Sequence, residues 1–263
     1  ESENLPGFIV LNPSSGNGGA QNYGSAFLPA IYQATPISGS SGQISNIANR
    51  RMSRERQRMQ LDLIQGLNQG RLKQKQVDPN LESVIDSFEL AFKMQTEVPR
   101  LMNVYKESSS VRRAYGIGSR STDSFGKQCL LARRMAEAGV RFIELNSGGW
   151  DHHRGLKSGM ERNCRAIDKP IAALLADLEK RDMLKDTLVM WGGEFGRTPH
   201  GESDDGRDHN NRGYTMWMAG GGVKGGMRYG QTDEYGFAAV DGRMHIHDWH
   251  ATVLHLLGLD HKK

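Results

Sequence analysis

Two cysteines in 263 residues, Cys129 and Cys164, are too few for a disulfide scaffold. No run of about 18 apolar residues occurs, so no segment reads as a membrane span, and no secretory leader is visible. The net charge is only +4. No basic stripe interleaves with aromatics, so nucleic acid is not an expected partner. Histidine is absent from the first 151 residues, and all nine histidines lie between His152 and His261.

What is present suits an enzyme-sized α/β chain. At 37% hydrophobic residues a sizeable core is available, and 32 glycines imply many tight loops. Leu5 to Leu11 reads as a buried strand ended by the loop "NPSSGNGG". Residues 12 to 48, rich in Gly, Ser, Asn and Gln, read as an irregular excursion anchored by Phe27, Leu28 and Ile31. Helical periodicity covers 51–67, 81–94 and "DSFGKQCLLARRMAEAGV", with Asp123 or Ser124 as N-cap and Gly139 as the stop. After that, strands at 140–145, 187–191 and 214–219 alternate with helices at 168–184 and 248–257. Pro170 falls in the first turn of the former helix. The alternation predicts a mostly parallel sheet with helices on both faces, following an irregular N-terminal part. The expected organisation is one partial α/β domain over 1–263: an irregular and helical insertion at 12–120 and a metal-site core at 121–263. The chain opens on "ESENLPGFIVL" and stops at "LLGLDHKK", and both ends read as cut from something longer.

Three polar loops adjoin the later strands: "SGGWDHHRG", "GGEFGRTPHGESDDGRDHNNRG" and "MHIHDWH". Ligands of open α/β sheets bind at such strand ends. The loops carry the residue types of a metal centre: Asp151, His152, His153, Glu194, Asp208, His209, His245 and His247. Imidazole with carboxylate suits a transition ion better than calcium. The spacing is compatible with plainer roles too. Asp151 to His153 makes an ordinary capped turn, Glu194 pairs with Arg197, and Asp208 pairs with Arg207 or Arg212. Arg197 either meets an anionic oxygen or bridges to Asp204 or Asp205. Cys129 and the tryptophans read as packing residues, and His250 and His255 as packed or surface residues.

The motifs "NLPGFIVL", "LLARRMAEAGVRFIEL", "GGWDHH", "GGEFGRTP", "GRDHNNRGYTMWMAGGGVKGG" and "HIHDWHATVLHLLGLDH" resemble a large bacterial family of sulfatase-like proteins. That family is catalogued as a domain of unknown function and grouped with the alkaline phosphatase superfamily. The resemblance implies an alkaline-phosphatase-like fold with two divalent ions, zinc or manganese, at a sheet edge. Asp151 and His153 then look like ligands of one ion and His209 like its third ligand; the family motif has its histidine two positions after the aspartate, which favours His153 over His152. Glu194 looks like a ligand of the second ion, where Phe195 replaces the usual histidine. His247 is a further metal candidate, in the third loop. The family's opening aspartate and nucleophile have no counterpart here, which implies a fragment lacking the nucleophile segment. The implied activity is metal-dependent hydrolysis of phosphate or sulfate esters in an exported or periplasmic parent, with Arg197 on the anionic oxygen. The implied substrate is an anionic ester, such as a sulfated or phosphorylated carbohydrate. The alternative is a non-catalytic, metal-stabilised binder of anionic polysaccharide.

Overall fold

The structure, a computed structural model, describes residues 4–14, 16, 19–38, 47, 51–74, 79–193 and 195–262. The chain divides into two compact units, Glu1–Gly148 and Gly149–Lys263.

The first unit is built on strand β1 (Phe8–Leu11), which pairs in parallel with β2 (Thr35–Ile37) and β3 (Phe142–Leu145) in the order β2-β1-β3. The apolar run "FIVL" suits a central strand. Ile9, Val10 and Leu11 are buried, and each such side chain contributes about 1.5–3 kcal/mol of burial energy. Four helices follow β2: α1 (Arg54–Gln74), α2 (Pro79–Met102), α3 (Ser109–Ala114) and α4 (Asp123–Glu137). α1 packs on α2, where Arg58 grips Glu89 at 2.6 Å. α4 packs on β3 and buries Cys129, Leu130, Leu131 and Met135. Gly139, at φ +92°, ends it as the spacing predicts. The Val140 amide reaches the Met135 carbonyl and the Gly139 amide the Ala136 carbonyl, which satisfies the terminal carbonyls. At the other end Thr122, not Asp123 or Ser124, occupies the cap position, while Asp123 accepts from the Gly118 amide at 2.8 Å.

The second unit opens with α5 (Leu156–Lys180). Short strands follow: β4 (Val189–Trp191), β5 (Gly196–Arg197), β6 (His209–Asn210), β7 (Trp217–Ala219), β8 (Gln231–Thr232) and β9 (Ala239–Asp241). The closing helix α6 (Ile246–Leu256) stops at Gly258, at φ +77°.

The expectation of a mostly parallel, alkaline-phosphatase-like sheet is overturned. Helices make up 46% of the structure, and the only parallel sheet among the described residues is β2-β1-β3. The pairs β4–β7, β5–β6 and β8–β9 are all antiparallel. The cause lies in the connections. Parallel neighbours need a crossover of a dozen or more residues, usually helical. The segments 198–208 and 233–238, which join β5 to β6 and β8 to β9, are shorter than that and contain no helix, so they fold back as turns; β4 and β7 are antiparallel across the longer segment 192–216, where length does not set the direction.

Two further expectations fail for packing reasons. Phe27 is 93% exposed and Leu28 48%, so they anchor nothing. Leu5, Ala34 and Ile37 line the core instead, and the excursion contains the strand β2. The part of that reading on 39–46 and 48 lies outside the described residues. α5 begins at Leu156, well before the expected 168, and Pro170 is buried in its interior. Ile167, Pro170, Leu174 and Leu178 share one buried face, and that packing outweighs the cost of proline inside a helix.

Candidate metal centre

Asp151, His152 and His153 leave the loop before α5 with alternating directions. His152 turns inward and is buried, its ring lying over Gly159 of α5. A Cβ on Gly159 would stand 2.3 Å from the His152 ring, so that position requires glycine. Asp151 and His153 turn the other way.

The segment joining β5 to β6 brings the remaining residues. Arg207 donates its amide to the His152 carbonyl at 3.0 Å. Gly206 lies so close to the His153 carbonyl that a Cβ would approach it to 1.9 Å. Asp205 accepts from the amides of Gly155 and Lys157 at 2.8 and 3.3 Å, capping α5 from a distant loop. In the β5–β6 ladder Arg197 stands opposite His209, so both side chains sit on one face.

Three ligand atoms then converge. Asp151 Oδ1 lies 3.0 Å from His153 Nε2 and 3.1 Å from His209 Nε2, and the two nitrogens are 3.1 Å apart. Asp151, His153 and His209 therefore form a group able to hold a metal ion. In a tetrahedral site with bonds near 2.0–2.1 Å, ligand atoms stand about 3.3 Å apart, so the triangle is close to that size. The other nitrogen of His153, Nδ1, lies 2.6 Å from Glu202 Oε2. An ionised carboxylate only accepts, so Nδ1 donates to it, and Nε2 has a lone pair for the cluster whenever the imidazole is neutral. Asp208 lies near His153 and Glu202 in a second, overlapping group. Its Oδ1 accepts from the His209 amide at 2.7 Å. It makes no ion pair with Arg207 or Arg212 among the described residues.

Charge is concentrated here. Arg197 donates to Asp151 Oδ1 at 2.6 Å, not to Asp204 or Asp205. That bond and the bond from His209, with the nearby charges of His153 and Arg197, lower the Asp151 carboxyl to about 2 against the opposing effect of burial. Hydrogen bonding to Glu202 raises His153, with the carboxylates of Asp151 and Glu202 adding to it. The Phe195 ring lies 4.3 Å from that of His209.

The structure thus brings together Asp151, His153, His209 and Arg197. Glu194 lies outside the described residues. His247 stays at the start of α6, where its amide donates to His245 Nδ1 at 3.3 Å and its ring lies 4.5 Å from that of His245. Among the described residues it joins neither metal-capable group. Sequence reasoning missed Glu202, and it missed Asp205 as a cap. Both are acidic residues in one polar loop, and no spacing marks which of them reaches back some fifty positions. Cys129 and Cys164 are both free thiols, and burial pushes the Cys129 thiol up to about 12.

The fold and the cluster define an α+β protein with a histidine–carboxylate group of metal-ligand geometry. It belongs to the family described as "Protein of unknown function (DUF1501)", which it matches over residues 1–263. No curated protein matches the chain, and no solved structure does. The resemblance to sulfatase-like proteins of the alkaline phosphatase superfamily is corrected accordingly. The family shown over residues 1–263 is this one, with no sulfatase or alkaline phosphatase match beside it. An Asp-x-His turn is a general way to present two ligands, and it does not identify a superfamily.

Proposed function

We propose that the chain is a metal-dependent hydrolase of phosphate or sulfate esters, with Asp151, His153 and His209 holding one divalent transition ion, zinc or manganese. The observation that carries this reading is the triangle of ligand atoms at 3.0–3.1 Å, with His153 oriented by Glu202. Two imidazoles and a carboxylate suit zinc or manganese. Three protein ligands leave a position for substrate or water, as catalytic sites require. A divalent ion there supplies Lewis acidity toward an ester oxygen. Arg197 stands beside the cluster, only 23% exposed. Its planar fork matches the non-bridging oxygens of an anionic ester.

Calorimetric titration of zinc and manganese, paired with a panel of phosphate and sulfate monoesters, tests the proposal. The expected result is binding by the wild type, at least tenfold weaker binding by His153→Ala and by His209→Ala, and little change in His255→Ala. Turnover of one ester class should vanish with chelator and with either histidine variant. Equal binding by all proteins rejects the metal site. Metal binding without turnover of any ester rejects the hydrolase.

A further inference from the structure

A second feature of the Gly149–Lys263 unit takes no part in the metal cluster. A cleft of about 620 Å³ opens between the segment after β6, the β8–β9 hairpin and the start of α6. That volume lies within the range of small-ligand sites, about 300–1,000 Å³. Two glycines of its wall pack closely against each other. A Cβ on Gly242 would lie 3.1 Å from Gly230 Cα and 3.3 Å from the Tyr229 ring. Both glycines have positive φ, +79° at Gly230 and +51° at Gly242.

The lining combines rings with fixed charge. Tyr214, Tyr229 and Trp249 face the cleft with Arg212, Arg228 and Asp241. Arg212 is held with its guanidinium 5.6 Å over the Phe237 ring. Among the described residues neither arginine makes an ion pair, and neither does Asp241. The lining therefore includes two arginines and one aspartate beside three aromatic residues.

We propose that this cleft binds an anionic saccharide, a sugar ring stacking on Tyr229 and its neighbours while its carboxylate or sulfate meets Arg212 and Arg228. Aromatic side chains bury the apolar face of a ring and present a polar tip to its rim. Planar guanidiniums recognise carboxylate or sulfate through two parallel hydrogen bonds. Asp241 accepts from ring hydroxyls. The site is separate from the metal cluster and does not depend on metal binding or on hydrolysis.

Calorimetry with five probes tests the proposal: a uronic-acid disaccharide carrying one sulfate, the same disaccharide without sulfate, lactose, inorganic sulfate and AMP. The titrations are run with chelator present, on the wild type and on His209→Ala, so failure of the metal site leaves the result intact. At least one anionic disaccharide is expected to bind tenfold or more tightly than lactose and inorganic sulfate. Comparison of the first two probes tells sulfate from carboxylate. Arg228→Ala and Tyr229→Ala, both at exposed side chains, should each weaken that binding about tenfold with an unchanged melting temperature. Four results overturn the proposal: equal binding of lactose, equal or tighter binding of AMP, binding of inorganic sulfate as tight as the sugar's, or affinities unmoved by both variants.

Discussion

Glu202 decides which nitrogen of His153 is free. Its carboxylate lies 2.6 Å from Nδ1, so the proton stays there and Nε2 faces Asp151 and His209. A partner behind a ligating imidazole is typically worth about 10–100-fold in metal affinity. Glu202→Ala is accordingly expected to weaken zinc binding by that factor in a calorimetric titration. Glu202→Gln, which keeps an acceptor, should lose less. Identical affinities in all three proteins would remove Glu202 from the site. At this scale the sequence was partly legible. Residue type and the confinement of histidine to the second half marked eight candidate ligands, and the family resemblance singled out Asp151, His153 and His209 among them. Glu202 did not, since a carboxylate in a polar loop has no local mark of the residue it meets 49 positions away.

The β8–β9 hairpin is closed by one side chain. Asp233 accepts from the amides of Phe237 at 2.8 Å, Ala238 at 2.9 Å and Tyr235 at 3.1 Å. These bonds favour the ionised carboxyl and lower it below its ordinary value, the Phe237 amide most of all. A group depressed in the folded state stabilises that state above its unfolded value, near ~3.9, and loses the effect as pH falls through the folded value. Denaturant melts of the wild type and Asp233→Ala should differ at pH 7 and converge in acid once pH has fallen through the folded value. A gap that persists unchanged into acid would show that the carboxylate is not the cause. Helix ends were unevenly readable. Gly139 and Gly258 mark C-termini because only a left-handed residue closes the last turn there. The start of α5 was missed, since its cap, Asp205, comes from another loop and Gly155 gives no side-chain signal.

Each unit of the molecule depends on a buried polar junction or a polar cluster. In Glu1–Gly148, Arg133 is almost wholly buried and pairs with Glu107 at 2.7 Å and Glu137 at 2.5 Å, while Arg134 meets the same Glu107 oxygen at 2.7 Å. Burial pushes the Glu107 carboxyl up, and the two arginines outweigh it, leaving the carboxyl below its usual value. Glu107→Ala leaves a buried guanidinium short of a partner and should cost about 3 kcal/mol in urea unfolding. In Gly149–Lys263, zinc at 100 times its dissociation constant should add about 2.7 kcal/mol to stability. His153→Ala should show no such gain in thermal melts. The sequence by itself determined the chemistry available and the presence of the longer helices, though not all their ends, because residue types and a 3.6-residue apolar period are local properties. Only the tertiary structure decided the strand partners and the membership of the site. Strands of two to four residues carry too little pattern to choose a neighbour. Ligands brought in on separate loops meet only once packing at Gly159, Gly196 and Gly206 has set the distances between those loops.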